Sequence, residues 1–252
     1  MIQLTSPDQN THATINPIGA ALAELWIGDV QIAGNPDPFS GVTMFPWPNR
    51  IYGGQWLHHG ELQSLPINDQ HQNSALHGLV FSREFSVTEL SESSCTLLLE
   101  LDPQVGYPFS TAIEVTFTVA HSTLYVKQLI RNLGSTETPF AIGWHPYFLA
   151  DETSQFQFGN DQHLLAGWET DTTFGPGRED AVLQTKNYKL SISATDTDYF
   201  HVYTNRYDTP GSVWFAIEPQ SSPVDSLNTG IGVTRLQPGE TRDFSYRLTW
   251  QS

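Results

Sequence analysis

Ile113-Glu114-Val115-Thr116-Phe117-Thr118-Val119 alternates apolar and polar side chains without a break. Successive side chains of a β-strand point to opposite faces, so the stretch reads as a strand with one face in a core and one in water. The same signal recurs. Tyr188, Leu190, Ile192 and Ala194 alternate with Lys189, Ser191 and Ser193, and Phe244, Tyr246, Leu248 and Trp250 alternate with Asp243, Ser245, Arg247 and Thr249. One wet face is typical of antiparallel sheets, whereas parallel strands covered on both faces read as continuous apolar runs. Turn formers at Gly53-Gly54, Gly106-Tyr107-Pro108, Gly175-Pro176-Gly177, Pro210-Gly211 and Pro238-Gly239 punctuate these runs and leave little room for long helices. The best helical candidate, Ala20 to Trp26, is short and lies between Gly19 and Gly28. The expectation is an all-β chain, a large antiparallel β-sandwich of two packed, twisted sheets. No linker composition or fixed-period repeat interrupts residues 1–252, which are expected to form one domain.

Composition narrows the classes of partner. The 252 residues are 38% hydrophobic and 15% charged, enough for a sizeable core without disulfides or a structural metal. Eleven Lys and Arg face 27 Asp and Glu, a formal charge of −16, which is the wrong sign for phosphate backbones and anionic lipids. Neither nucleic acid nor a membrane is an expected partner. The single cysteine, Cys95, sits in Cys95-Thr96-Leu97-Leu98-Leu99 and reads as a small buried hydrophobe. Met1-Ile2-Gln3-Leu4-Thr5-Ser6-Pro7 has no basic region leading into an apolar stretch, and no run approaches the roughly 20 apolar residues of a membrane helix. A soluble, cytoplasmic protein is expected.

The chain has no Walker A loop, Gly-x-Ser-x-Gly elbow, dinucleotide fingerprint or His-Glu-x-x-His. The close histidine pair His58-His59 would point to opposite faces if extended, so no ligand spacing marks a metal site. Four other clusters carry chemistry-bearing groups. Phe45-Pro46-Trp47-Pro48-Asn49-Arg50 brings an arginine out of a proline-stiffened approach, as a ligand-binding group or as a surface residue in a turn. Ala75-Leu76-His77-Gly78 offers a histidine that suits a site or a hydrogen-bonded core position equally well. In Phe140-Ala141-Ile142-Gly143-Trp144-His145, strand alternation puts His145 on a face with Ala141 and Gly143, leaving room for a ligand or for close backbone packing. In Val213-Trp214-Phe215-Ala216-Ile217-Glu218, the carboxylate ends an apolar strand, where burial would raise its pKa into a general base's range and solvent exposure would leave it inert.

Together and in order, these stretches resemble the aldose 1-epimerase family of galactose mutarotase-like sugar epimerases. The resembling segments are Pro48-Asn49-Arg50-Ile51 with Gly54, Leu76-His77-Gly78, Gly143-Trp144-His145-Pro146-Tyr147-Phe148, Tyr203-Thr204-Asn205, Ile217-Glu218-Pro219 and Leu236-Gln237-Pro238-Gly239-Glu240. The resemblance implies a galactose mutarotase-like supersandwich, Glu218 as catalytic base and His145 as acid. It implies Arg50, His77 and Asn49 as sugar-binding groups, joined by the aspartate of Asp171-Thr172-Thr173-Phe174, with Asp161 as the alternative. The implied substrate is a small free sugar, and no metal or other cofactor is called for. The chemistry then starts from ionised Glu218 and protonated His145, with Trp47, Trp144 and Trp214 available to cover apolar sugar faces or to pack the core.

His145-Pro146-Tyr147-Phe148 is also similar to the wider set of mutarotase-like proteins that includes hexose-6-phosphate epimerases. A phosphate calls for clustered Arg or Lys, and Arg83 is the one candidate near His77, so a neutral sugar is favoured. Two other classes make different demands. A glycoside hydrolase needs paired carboxylates, for which Asp171 and Glu218 could serve, and would release free monosaccharide from an aryl glycoside. A carbohydrate-binding module would bind sugar without accelerating anomer exchange.

Overall fold

The computed structural model describes residues 1–205 and 213–251, so the Pro210-Gly211 turn lies outside the described residues. The decisive alternation is realised in full: along Thr111–Ala120 every odd-numbered residue is buried and every even-numbered one is half-buried. This strand lies in a nine-stranded sheet whose order is Ser86–Leu90, Ser94–Leu101, Thr111–Ala120, Thr123–Asn132, Thr241–Gln251, Lys189–Thr195, Ala181–Gln184, Gln155–Phe158 and Asp161–Leu164. A ten-stranded sheet faces it, running through Ile2–Thr5, Thr11–Asn16, Ala21–Ile27, Val30–Ala33, Tyr147–Ala150 and Val213–Gln220 to the short strands Gly143–Trp144 and Thr43–Met44. Tyr199–Asn205 and Asp171–Phe174 pair in succession beyond Val213–Gln220. Every pairing in both sheets is antiparallel, the large antiparallel sandwich expected from the alternation. Leu97, Ile113, Val115 and Phe117 from one sheet and Leu25, Phe148, Phe215 and Ile217 from the other belong to one buried cluster between them.

The all-β reading holds at the one helical candidate, and one local expectation is revised. The helical candidate Ala20 to Trp26 is the strand Ala21–Ile27, held by neighbours on both sides, because the turns at Gly19 and Gly28 return the chain into pairing. Among the described residues the only helix is Ser226–Thr229, and none is long and apolar enough to cross a membrane. His58 and His59 do not point apart. The strand Gln55–His58 ends there, His59 takes a positive φ of 49°, and the two rings lie 4.2 Å apart.

Strand register places the functional side chains. In Val213–Gln220, Val213, Phe215 and Ile217 enter the core, so Trp214, Ala216 and Glu218 face away from it. Cross-strand pairing sets Glu218 beside His201 and His201 beside Thr173, forming one row across the outer face. A second row runs Asp171, Tyr203, Ala216 and Tyr147. Neighbours in such rows have Cβ atoms about 5 Å apart, close enough for direct contact.

Phe117 is fully buried between the sheets and sits opposite Cys95 and Val126. Phe117→Ala is expected to destabilise the fold by about 3–5 kcal/mol, seen as a lower urea midpoint with an unchanged denaturant slope. A loss below about 1 kcal/mol would show that the two sheets do not share this core.

Candidate active site

The outer rows form the floor of a cavity of about 450 Å³, walled by segments around Phe39 to Arg50 and Asn68 to His77. That volume lies within the range of small-molecule sites. Glu218, His145, Arg50, His77, Asn49 and Asp171 all line it. Asp161 does not: it is exposed on the edge strand Asp161–Leu164 of the other sheet.

Glu218 is 1% exposed and His145 4%. The carboxylate's Oε2 accepts a 2.9 Å hydrogen bond from Gln220 Nε2, and its Oε1 lies 3.4 Å from His145 Nε2. Burial, which disfavours charge, pushes Glu218 up to about 7 and His145 down to about 3. Burial thus favours the neutral form of each group, a direction opposite to the expected starting state of ionised Glu218 and protonated His145.

Asn49 and His77 are held reciprocally. His77 N–H donates to the Asn49 carbonyl at 2.9 Å, and Asn49 N–H donates to His77 Nδ1 at 3.2 Å. Both residues sit in the left-handed region, at φ of 54° and 59°, so the site stores backbone strain that this exchange of hydrogen bonds sustains. Gly78 follows at φ of 79° where an added Cβ would lie 2.1 Å from the Phe45 carbonyl oxygen, so no side chain fits. Burial first, and after it the repulsion that a charged ring would meet from the neighbouring imidazoles and Arg50, holds His77 well below the usual imidazole range. With Nδ1 accepting, the neutral ring carries its proton on Nε2 and presents a donor to the cavity.

His77, His145 and Glu218 bring one ligand atom each within 4.8 Å of one another, a spacing that could suit a metal. The hydrogen-bond pattern does not suit one, because the lone pair of His77 is taken by Asn49 N–H.

Arg50 lies between two carboxylates, 2.9 Å from Asp69 and 3.4 Å from Asp171. Burial opposes its charge, but these partners outweigh it and keep the guanidinium firmly charged. Hydrogen bonding from His201, followed by the charge of His201 and Arg50, holds Asp171 below the usual carboxylate range. Arg50 is the sole Lys or Arg among the described lining residues. Arg83, the phosphate candidate, lines a separate hollow with Leu99 and Glu100.

Several expectations about neighbours change. Trp47 and Trp144 are fully buried, with their indole N–H groups on Ala75 and Gly41 carbonyls, and Trp214 does not line the cavity. The rings that do are Phe39, Tyr147 and Tyr203, with Phe39 edge-on to His77 at 4.9 Å. The small residue Gly143 leaves no space for a ligand, since an added Cβ would lie 2.8 Å from the Met44 methyl group and 3.1 Å from Gln220. Sequence reasoning passed over Phe39, Asp69, His201 and Gln220, and named Tyr203 in a resembling segment without giving it a place at the site. For His201 and Tyr203 the available signal was alternation in Phe200-His201-Val202-Tyr203, which sets both opposite the apolar face.

The sequence pattern defining the Aldose 1-epimerase family matches residues 1–174, more than half of the chain. This chain belongs to the aldose 1-epimerase family. Its relatives include the uncharacterized protein YihR of Escherichia coli (strain K12), 29% identical over 281 residues and matched across 95% of this chain and 90% of YihR. The fold is that of the GalM/aldose epimerase homologue from C. elegans, with a TM-score of 0.80 at 19% identity, covering 99% of this chain and 98% of that one. A galactose mutarotase-like protein from Lactobacillus casei ATCC 334 aligns over the whole of both chains with a TM-score of 0.79 at 17% identity.

The raised pKa of Glu218 makes stability depend on pH. Below the ordinary carboxylate value of 4.5 both folded and unfolded chains hold this proton, whereas between 4.5 and about 7 only the folded chain does, so stability falls as pH rises through this window. Glu218→Gln removes this titrating proton. The variant is expected to match wild type near the lower limit and to exceed it by on the order of 3 kcal/mol at about pH 8, measured by urea unfolding across pH. A difference that stays flat with pH would contradict the raised value.

Proposed function

We propose that this chain is a cofactor-independent aldose 1-epimerase that interconverts the α and β anomers of a free aldohexose. The observation that carries the reading is the buried Glu218–His145 pair, 3.4 Å apart, at the floor of a cavity rich in hydrogen-bonding groups. Anomerisation needs one group to take the proton of the anomeric hydroxyl and another to give a proton to the ring oxygen. A sugar hydroxyl donating to Glu218 favours its carboxylate, and a ring oxygen accepting from His145 Nε2 favours the imidazolium. Docking of the substrate thus favours a proton on His145 and an ionised Glu218. Glu218 then removes the anomeric proton, the bond between C1 and the ring oxygen breaks, and His145 protonates that oxygen. Rotation about C1–C2 turns the other face of the aldehyde to the hydroxyl, and closure runs with the roles exchanged, restoring the pair.

The remaining groups fit this reading. His77 Nε2–H and Arg50 supply donors for sugar oxygens, Asp171 supplies an acceptor, and Asn49 fixes the His77 tautomer. A neutral sugar is favoured because Arg50 already has Asp69 and Asp171 as counter-ions and Arg83 lies elsewhere.

Polarimetry of freshly dissolved α-D-glucose and α-D-galactose is expected to show a faster drift to anomeric equilibrium with wild type than with buffer. Glu218→Gln is expected to abolish the acceleration with the fold intact, and His145→Asn to lower it at least about 100-fold. Retention of most activity by Glu218→Gln would remove the assigned base.

A further inference from the structure

His201 is buried at 5% exposure, and the reaction as described gives it no part, yet both of its ring nitrogens are engaged. Nε2 lies 2.8 Å from Asp171 Oδ1 and Nδ1 lies 2.9 Å from Thr173 Oγ1. The register explains both contacts. Thr173 is the direct cross-strand neighbour of His201, whereas Asp171 pairs with Tyr203 and reaches the imidazole diagonally along the same face. An ionised carboxylate only accepts, so a ring proton belongs on Nε2, and Nδ1 faces the Thr173 hydroxyl, which can donate to a neutral ring and accept from a charged one. Asp171 is 38% exposed at its side chain, where a lone aspartate would sample several rotamers. Here Oδ1 is held by His201 and Oδ2 lies 3.4 Å from Arg50 Nη1.

We infer that His201 is a positioning residue for Asp171: held on its other nitrogen by Thr173, it fixes the carboxylate in one rotamer, so that the remaining lone pairs face the cavity as an acceptor for a sugar hydroxyl. The inference rests on reading the cavity as a sugar site. It adds that sugar affinity depends on a relay Thr173–His201–Asp171 that runs across two strands and touches the sugar only at its last member. It also separates two functions within one row of the sheet. Glu218, on the other side of His201, serves proton transfer, while His201 serves binding.

The test uses the intact chain and the length of the side chain at position 201. A glutamine amide reaches the place of Nε2, whereas an asparagine amide reaches only that of Nδ1. His201→Asn is expected to raise KM for anomer exchange about tenfold with kcat changed less than about twofold, because the lost contact serves the ground state and transition state alike. His201→Gln is expected to recover most of the affinity. Thr173→Val, which keeps shape and removes the hydroxyl, is expected to raise KM in the same direction by a smaller factor. In an Asp171→Asn background, His201→Asn is expected to add little further loss, the mark of two residues acting as one unit.

Equal losses for the Asn and Gln variants, or a full additional loss in the Asp171→Asn background, would overturn the inference. Nitrogen-15 NMR of wild-type imidazoles reads the geometry without activity. A proton on Nε2 of His201 that shifts in Asp171→Asn supports the relay, and a proton on Nδ1 with Nε2 bare overturns it. Wild type that leaves sugar anomerisation unchanged while NMR reports the Nε2 proton would reject the epimerase reading and retain the relay's geometry.

Discussion

A carboxylate removed from water at the end of an apolar strand is the constraint on which the site depends. Left alone, Glu218 would be a costly group. It is kept in place by backbone register, by the amide of Gln220 and by the imidazole of His145, and none of these supplies a full counter-charge. The incomplete compensation is what moves its proton affinity to about 7. A tight partner such as the one Arg50 has in Asp69 would have stabilised the fold and fixed Glu218 as a permanent anion. Stability and reactivity are therefore opposed at this residue, and the large core between the sheets is what tolerates the expense.

The two kinds of charged cluster in the cavity follow from the same principle applied with different solvation. Glu218 and His145 are sealed from water and lean toward neutrality, whereas Arg50, Asp69 and Asp171 are partly wet, mutually paired and stay ionised. The dry half is suited to exchanging protons and the wet half to matching hydroxyl groups. The proposed epimerase chemistry needs both, and the boundary between them runs along His77 and His201, neither of which has a carboxylate on both nitrogens.

Much of this was legible in the sequence, and what was not has a common cause. Period-two alternation in Ile113 to Val119 and in Val213 to Glu218 settled the strand class and the faces, because that information is local. The same alternation holds in Phe140 to His145, with Phe140, Ile142 and Trp144 in the core and His145 on the cavity, and of the two roles open to Gly143 the structure has close packing, its missing side chain admitting Met44 and Gln220 in place of a ligand. Asp171 was found through a short family-like stretch, but its tie to His201 depends on which strands are neighbours and at what offset, and no residue pattern within either strand encodes that. For the tryptophans both roles were open from composition, and core packing is the one realised. The indoles of Trp47 and Trp144 resemble sugar platforms in composition, yet their N–H groups are spent on the carbonyls of Ala75 and Gly41 deep in the core.

The cavity lies on the side of its sheet opposite the core, and this has a consequence for how such a chain can change. Its floor is made of strands whose reverse faces, Phe215 and Ile217 among them, are locked into packing between the sheets. Its walls are segments outside that packing, where Phe39 leans on the smaller cluster of Ala21, Val42 and Met44, Asn68 ties the backbone of Leu76, and Gln72 is exposed. Exposed wall residues such as Gln72 can be exchanged to suit a differently decorated ligand with little penalty to folding, whereas the floor resists change on both of its faces. The architecture thus joins a fixed proton-handling surface to an interchangeable recognition surface, and novelty in ligand preference has an easy route that novelty in chemistry lacks.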